Sequence, residues 1–232
     1  RLCSSAASDV YKRQEIRSFM QKDSIKNILL VGIGLCVVCG AVISTVAVSL
    51  KDQQEQNVIF DQQSKIIDAA RLLEVYPSSQ EALASIEEVV VNLDEGQASD
   101  FPADQYDLDT ILRDSSQHTV LDGSDDIAMI SVRENLSKVY IEYRNNELKT
   151  LILPVRGYGL WGTLYGYLAL DSDLNTIVGL EFYKHKETPG LGAEVDNPNW
   201  KKLWNGKRVY DENGLVQILS LIHISEPTRL TC

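Results

Sequence analysis

The hydrophobic pattern has one uninterrupted block. Ile28 to Leu50 is a run of 23 residues without a charge. As a helix rising about 1.5 Å per residue it spans roughly 30 Å, the thickness of a bilayer's hydrocarbon core. Ala47-Val48-Ser49 is a faint cleavage-like site, but the apolar region of a signal peptide is shorter, about 7–15 residues. Arg17, Lys22 and Lys26 precede the span, and Lys51, Asp52, Glu55 and Asp61 follow it. The positive-inside bias predicts a cytoplasmic N-terminus, with everything after Leu50 outside. Gly32, Cys36, Gly40 and Ser44 recur every four residues. They form a ridge on which partner helices can pack closely. Cys36-Val37-Val38-Cys39 has C-x-x-C spacing, but the span offers no further ligand. The two cysteines read as small apolar residues.

Beyond the span the periodicity changes twice. Val58, Ile59, Ile66, Ile67, Leu72 and Leu73 keep helical spacing, so Gln53–Leu73 continues the helix outward. Ser78-Ser79-Gln80-Glu81 is a capping box. It predicts a helix carrying Ala82, Leu83, Ile86, Val89, Val90 and Leu93, although the β-branched end from Glu88 also suits a strand. Gly96 to Asp126 is polar and predicts a solvated loop. From Lys138 the period is two, with Val139, Ile141 and Tyr143 set against Tyr140 and Glu142. Asn145-Asn146 then predicts a tight turn into Leu148–Val155. Leu164–Leu170 and Thr176–Tyr183 form a second hairpin. Asn197-Pro198 opens a short helix that buries Trp200, Leu203 or Trp204 and stops at Gly206. The predicted class is α+β with an antiparallel sheet.

Charge divides the chain along the same lines. The 232 residues carry a net charge of −11, which argues against a nucleic-acid partner. Residues 52–126 hold 18 Asp/Glu against three Lys/Arg. A calcium site among Asp122, Asp125 and Asp126 lacks the EF-hand pattern, so the acidic run reads as a solvated face. Four cysteines do not make a disulfide scaffold. No metal is predicted: zinc spacing, a P-loop, a dinucleotide fingerprint and a hydrolytic triad are all missing from the sequence.

Candidate chemistry sits in two glycine loops. One is Arg156-Gly157-Tyr158-Gly159-Leu160-Trp161-Gly162, and the other is Lys184-His185-Lys186-Glu187-Thr188-Pro189-Gly190-Leu191-Gly192. Glycine permits close backbone approach to a ligand. Trp161 and Leu191 offer flat apolar contacts for a planar ring, while Glu187 and Thr188 face its polar edge; in a bland reading the loops are turns and Trp161 is core. His185, between two lysines, is given no role.

Together the loops resemble the FMN-binding domain of the NqrC family, a subunit of the sodium-translocating NADH:quinone oxidoreductase. The similarity runs from Met20 to Gln217, and the motif that carries it is Glu187-Thr188-Pro189-Gly190-Leu191-Gly192. Asp23-Ser24-Ile25 before the span and Asn57–Ile67 after it fit as well. The resemblance implies a bacterial inner-membrane, single-pass flavoprotein subunit with its main domain in the periplasm. It relays electrons through FMN in a complex that couples quinone reduction to sodium export, with no catalytic residue of its own. Leu160, Trp161, Glu187, Thr188, Gly190, Leu191 and Gly192 would bind the FMN. Implied partners are other membrane subunits, packed on the Gly32/Cys36/Gly40/Ser44 face, and a flavin transferase. NADH and quinone are met only through the assembled complex. In the family a threonine in Ser-Gly-Ala-Thr carries FMN as a phosphoester, and that motif does not occur in this sequence. The alternatives are the equivalent subunit of the Rnf complex and a non-catalytic tethered binding domain.

Residues 1–14 and 219–232 resemble translated sequencing-adaptor DNA, so the flavin domain is expected to be C-terminally incomplete and the chain alone inactive. The expected organisation is a stub at 15–27, the span at 28–50, an acidic helix/loop region at 51–126 and a partial FMN-binding domain at 127–218. Loss of C-terminal elements would leave the apolar faces of Leu164–Tyr183 uncovered.

Overall fold

A computed structural model describes residues 24–218. The tails expected to be foreign lie outside the described residues. The chain forms two units that divide after Asn57.

The described part of the first unit is helical. Helix α1 is Ile25–Ala69 and contains the apolar block. It is the one helix among the described residues long and apolar enough to cross a membrane, and its apolar window buries nothing within the chain. Its hydroxyls are satisfied internally: Thr45 Oγ1 donates to the Ala41 carbonyl at 2.7 Å and Ser49 Oγ to that of Thr45 at 2.8 Å. Such back-bonding lets hydroxyls enter lipid without an unmet donor.

The second unit is built on strands. In chain order they are β1 (Ile86–Asn92), β2 (Gln97–Ala98), β3 (His118–Val120), β4 (Val132–Glu134), β5 (Leu136–Arg144), β6 (Glu147–Tyr158), β7 (Thr163–Asp171) and β8 (Ile177–Lys184). Six of them form one sheet in the order β2-β1-β5-β6-β7-β8, while β3 and β4 pair as a separate ribbon. All the pairings are antiparallel. The predicted hairpins are present. Asn145 and Asn146 take φ of 56° and 61° at the first turn, the left-handed pair that a two-residue hairpin requires.

The predicted helix after the capping box is cut short. Ser78 does accept from the Glu81 N–H at 3.3 Å and starts α2, but α2 covers only Ser79–Ala84. Ile86 onward is β1, paired with β5, because the sheet offers a hydrogen-bonded edge that a polar-faced helix would forgo. Gly96–Asp126 is not simply a solvated loop. It contains β2, α3 (Leu108–Arg113, capped by Asp107) and β3, and Ile111 is buried.

The core lies where the end of α1 meets the sheet. Ile66, Ile67, Ala69, Ala70 and Leu72 pack with Tyr140, Ile152, Tyr167 and Ala169. Tyr167 and Ala169 of β7 are thereby covered rather than left open, and Ile177 of β8 is 1% exposed, while Leu164, Leu168 and Val178 are half-buried. One backbone contact sets the approach. A Cβ on Gly179 would overlap the Ala69 carbonyl oxygen and lie 3.3 Å from its carbon. Glu181 of β8 ties two elements together, accepting from Lys65 Nζ at 3.3 Å and Lys201 Nζ at 2.6 Å.

The alternation in β5 also differs from expectation. Glu142 is 0% exposed and Tyr143 is 42% exposed, the reverse of the apolar-inward pattern. Glu142 is held by Tyr76 Oη at 3.0 Å, Thr150 Oγ1 at 2.9 Å and Arg144 Nη2 at 2.5 Å. Three donors suffice to hold a buried carboxylate in place of water. Beside it, Tyr140, Tyr167 and Tyr183 form an aromatic row with centroids 5.7 and 5.0 Å apart. Burial drives all three phenols above their ordinary pKa.

Candidate functional site

The two glycine loops lie at the same end of the β6–β7–β8 sheet. The first loop is the turn between β6 and β7, and its base is pinned by an ion pair. Arg156 Nη2 donates to Glu134 Oε2 at 2.5 Å and to the Val132 carbonyl at 2.7 Å, with both side chains nearly buried. Tyr158 N–H then donates to the Ala128 carbonyl at 2.8 Å, and Gly159 N–H to that of Gly162 at 2.8 Å. These bonds close the turn and leave its side chains outward. Leu160 is 78% exposed and Trp161 62%. Trp161 is therefore not core.

The second loop leaves β8 and ends in a 3-10 turn, Gly192–Asp196. Leu191 N–H and Ala193 N–H both donate to the Thr188 carbonyl, at 3.1 and 3.2 Å. Gly190 sits at φ 76°, with nothing within 4 Å of where a Cβ would stand. Leu191 is 73% exposed. His185 is more than a surface histidine, since its side chain is 16% exposed. Its Nδ1 accepts from the Glu187 N–H at 3.2 Å, so Nε2 carries the proton shared with Asp196 Oδ2 at 2.7 Å.

Glu187 joins the loops: its Oε1 accepts from the Trp161 N–H at 3.1 Å. Of the predicted residues, the structure thus brings Trp161, Glu187 and Gly192 together, and Thr188 closes the second loop through its backbone. Leu160, Gly190 and Leu191 stand open. Sequence reasoning missed Arg156, Glu134, Asp196 and the role of His185. Eleven residues separate His185 from Asp196, a spacing with no signature.

The arrangement fits a planar aromatic ligand such as an isoalloxazine. Three large apolar side chains lie uncovered on two loops, and Gly190 leaves its side of the loop open. A cleft of about 110 Å³, lined by Gln63, Ile66, Leu83, Ile86, Glu88 and Tyr140, belongs to other elements.

A family model for the FMN-binding domain matches residues 159–220. The NqrC protein of the Na(+)-translocating NADH-quinone reductase of Pseudomonas aeruginosa is 44% identical over 205 residues, covering 85% of this chain and 78% of that protein. The chain belongs to the NqrC family. The family member from Vibrio vulnificus is 40% identical over 192 residues, covering 82% of this chain and 75% of its own. Among solved structures, NqrC of Shewanella oneidensis superposes with a TM-score of 0.61 at 31% identity, over 68% of this chain and 73% of that one. The NqrC of Parabacteroides distasonis gives 0.52 at 28% identity, over 72% and 74%. These relatives do not favour an Rnf-type protein or a non-catalytic tethered domain.

Proposed function

We propose that this chain is the FMN-binding subunit of a sodium-translocating NADH:quinone reductase. The observation that carries the reading is the pair of linked loops presenting Leu160, Trp161 and Leu191 inside an NqrC-type fold. When bound, FMN supplies reversible electron uptake and release. The chain's own residues do the rest. Trp161, Leu160 and Leu191 would pack against the ring and exclude water from it. Thr188 and Gly190 would let backbone come close to its edge. NADH and quinone react elsewhere in the assembled complex.

The apolar part of α1 anchors the chain in the bacterial inner membrane, with the sheet unit in the periplasm. Its Gly32/Cys36/Gly40/Ser44 ridge packs against other membrane subunits. A flavin transferase attaches FMN to a threonine in relatives carrying Ser-Gly-Ala-Thr, which these 232 residues lack. The full chain in detergent should therefore bind free FMN reversibly, and a denaturing gel should show no flavin-fluorescent band even after coexpression with the transferase. Absence of saturable FMN binding would refute the functional reading. A covalent band would refute the attachment reading. A reporter fused after Gln217 that works only in the cytoplasm would refute the orientation.

A further inference from the structure

We propose that Glu187 is a positioning residue, a latch that fixes the first glycine loop onto the second, rather than a direct contact of the ligand. Both of its carboxylate oxygens are turned into the loops. Oε1 accepts the Trp161 N–H at 3.1 Å. A Cβ added to Gly159 would collide with Oε1 and lie 3.2 Å from Cδ. A Cβ added to Gly192 would collide with Oε2, 3.0 Å from the Glu187 Cβ and 3.1 Å from Cδ.

Those collisions explain two glycines that backbone conformation does not. Positive φ occurs at Gly190, but not at Gly159 or Gly192. A left-handed conformation is one reason to keep glycine, and close approach is the other. Here only the second applies: the carboxylate of Glu187 crowds both positions, and Leu164 Cδ1 crowds Gly159 as well. The latch is itself braced. The Glu187 N–H is held by His185 Nδ1, and His185 Nε2 is held by Asp196 at the end of the following 3-10 turn. Lys186 adds a contact from the same loop, with its Cδ 3.3 Å from where a Gly162 Cβ would be. The backbone amide of Trp161 is thereby fixed while its ring stays exposed. A loop backbone fixed in this way is ordered before ligand arrives, which reduces the entropy lost on binding.

The ligand part of the proposal rests on the FMN reading; the latch itself does not. The test uses the full chain in detergent and two readouts: amide hydrogen exchange over residues 157–163 and titration with free FMN. Glu187→Ala should lose protection there about tenfold and weaken FMN binding about tenfold, with the melting temperature of the sheet unchanged. Glu187→Gln keeps an acceptor oxygen and should retain both. Gly192→Ala should act like Glu187→Ala alone, yet add less in the Glu187→Ala background, where the carboxylate collision is gone and only the Cβ of residue 187, 3.0 Å away, still faces the new methyl.

Unchanged protection in Glu187→Ala overturns the latch, and weakened binding alongside it would make Glu187 a direct ligand contact. Lost protection with unchanged binding overturns the positioning role. Equal losses in Glu187→Gln and Glu187→Ala would show that an acceptor oxygen is not what matters. If wild type binds no FMN, the functional reading fails, while the exchange data still decide the latch.

Discussion

Replacing Gly179 by alanine tests the contact that seats helix α1 on the sheet. Gly179 lies in β8 without a positive φ, so alanine suits its backbone. The added methyl meets the Ala69 carbonyl, overlapping the oxygen and lying 3.3 Å from the carbon. Comfortable carbon contacts begin at about 3.5 Å, and the oxygen must retreat by roughly 1 Å to restore an ordinary separation. The obstacle is backbone of a fully buried residue, not a side chain that can rotate away. Overpacking of this kind costs about 1–3 kcal/mol, and the rigid partner places Gly179→Ala at about 2–3 kcal/mol. For a unit of this size each kcal/mol lowers Tm by about 2–4 °C, so the melt should fall by about 5–10 °C. The assay is calorimetry of the detergent-solubilised chain, with Gly123→Ala as control. Gly123 has open space around its Cβ position and should melt like wild type. Coincidence of the Gly179→Ala and wild-type melts within about 1 °C would refute a close backbone approach at this point.

Glu142→Ala should destabilise by about 1–3 kcal/mol, because it leaves Tyr76 and Thr150 without their buried acceptor and removes the partner of the partly exposed Arg144; urea unfolding at neutral pH measures it. The Asp173 carboxyl is held down to about 2 by the Thr176 hydroxyl, the Thr176 N–H and the Asn175 N–H. A lowered folded pKa stabilises above the unfolded value near 3.8 and ceases to do so as pH falls through about 2. Asp173→Asn should remove that component, flattening stability between about pH 4 and 2 in denaturant titrations. Trp161→Ala should weaken FMN binding several-fold, about 1 kcal/mol, and leave the melt in place, since the ring is mostly exposed; flavin titration beside a thermal scan checks both.

Much of this protein follows from local pattern. The uncharged stretch from Ile28 is long and apolar enough to cross a membrane, where a single segment would have to be helical to satisfy its own backbone, and it is helical. Asn145-Asn146 specifies its hairpin because those residues tolerate a left-handed turn. The glycine loops read from the sequence as a candidate ligand site, and the structure adds that Arg156–Tyr158 belong to β6 while Leu160, Trp161 and Leu191 stand exposed. Tertiary structure decided the rest. The segment from Ile86 has the residues of either a helix or a strand, and β5 made it a strand by pairing with it from far along the chain, Glu88 opposite Tyr140 and Val90 opposite Lys138. Glu142 reads as solvent-facing by alternation and is buried because Tyr76, Arg144 and Thr150 converge on it. Gly159, Gly179 and Gly192 look alike in the sequence. Which backbone or carboxylate crowds each one depends on chain segments brought together only by folding, and no local periodicity encodes that approach.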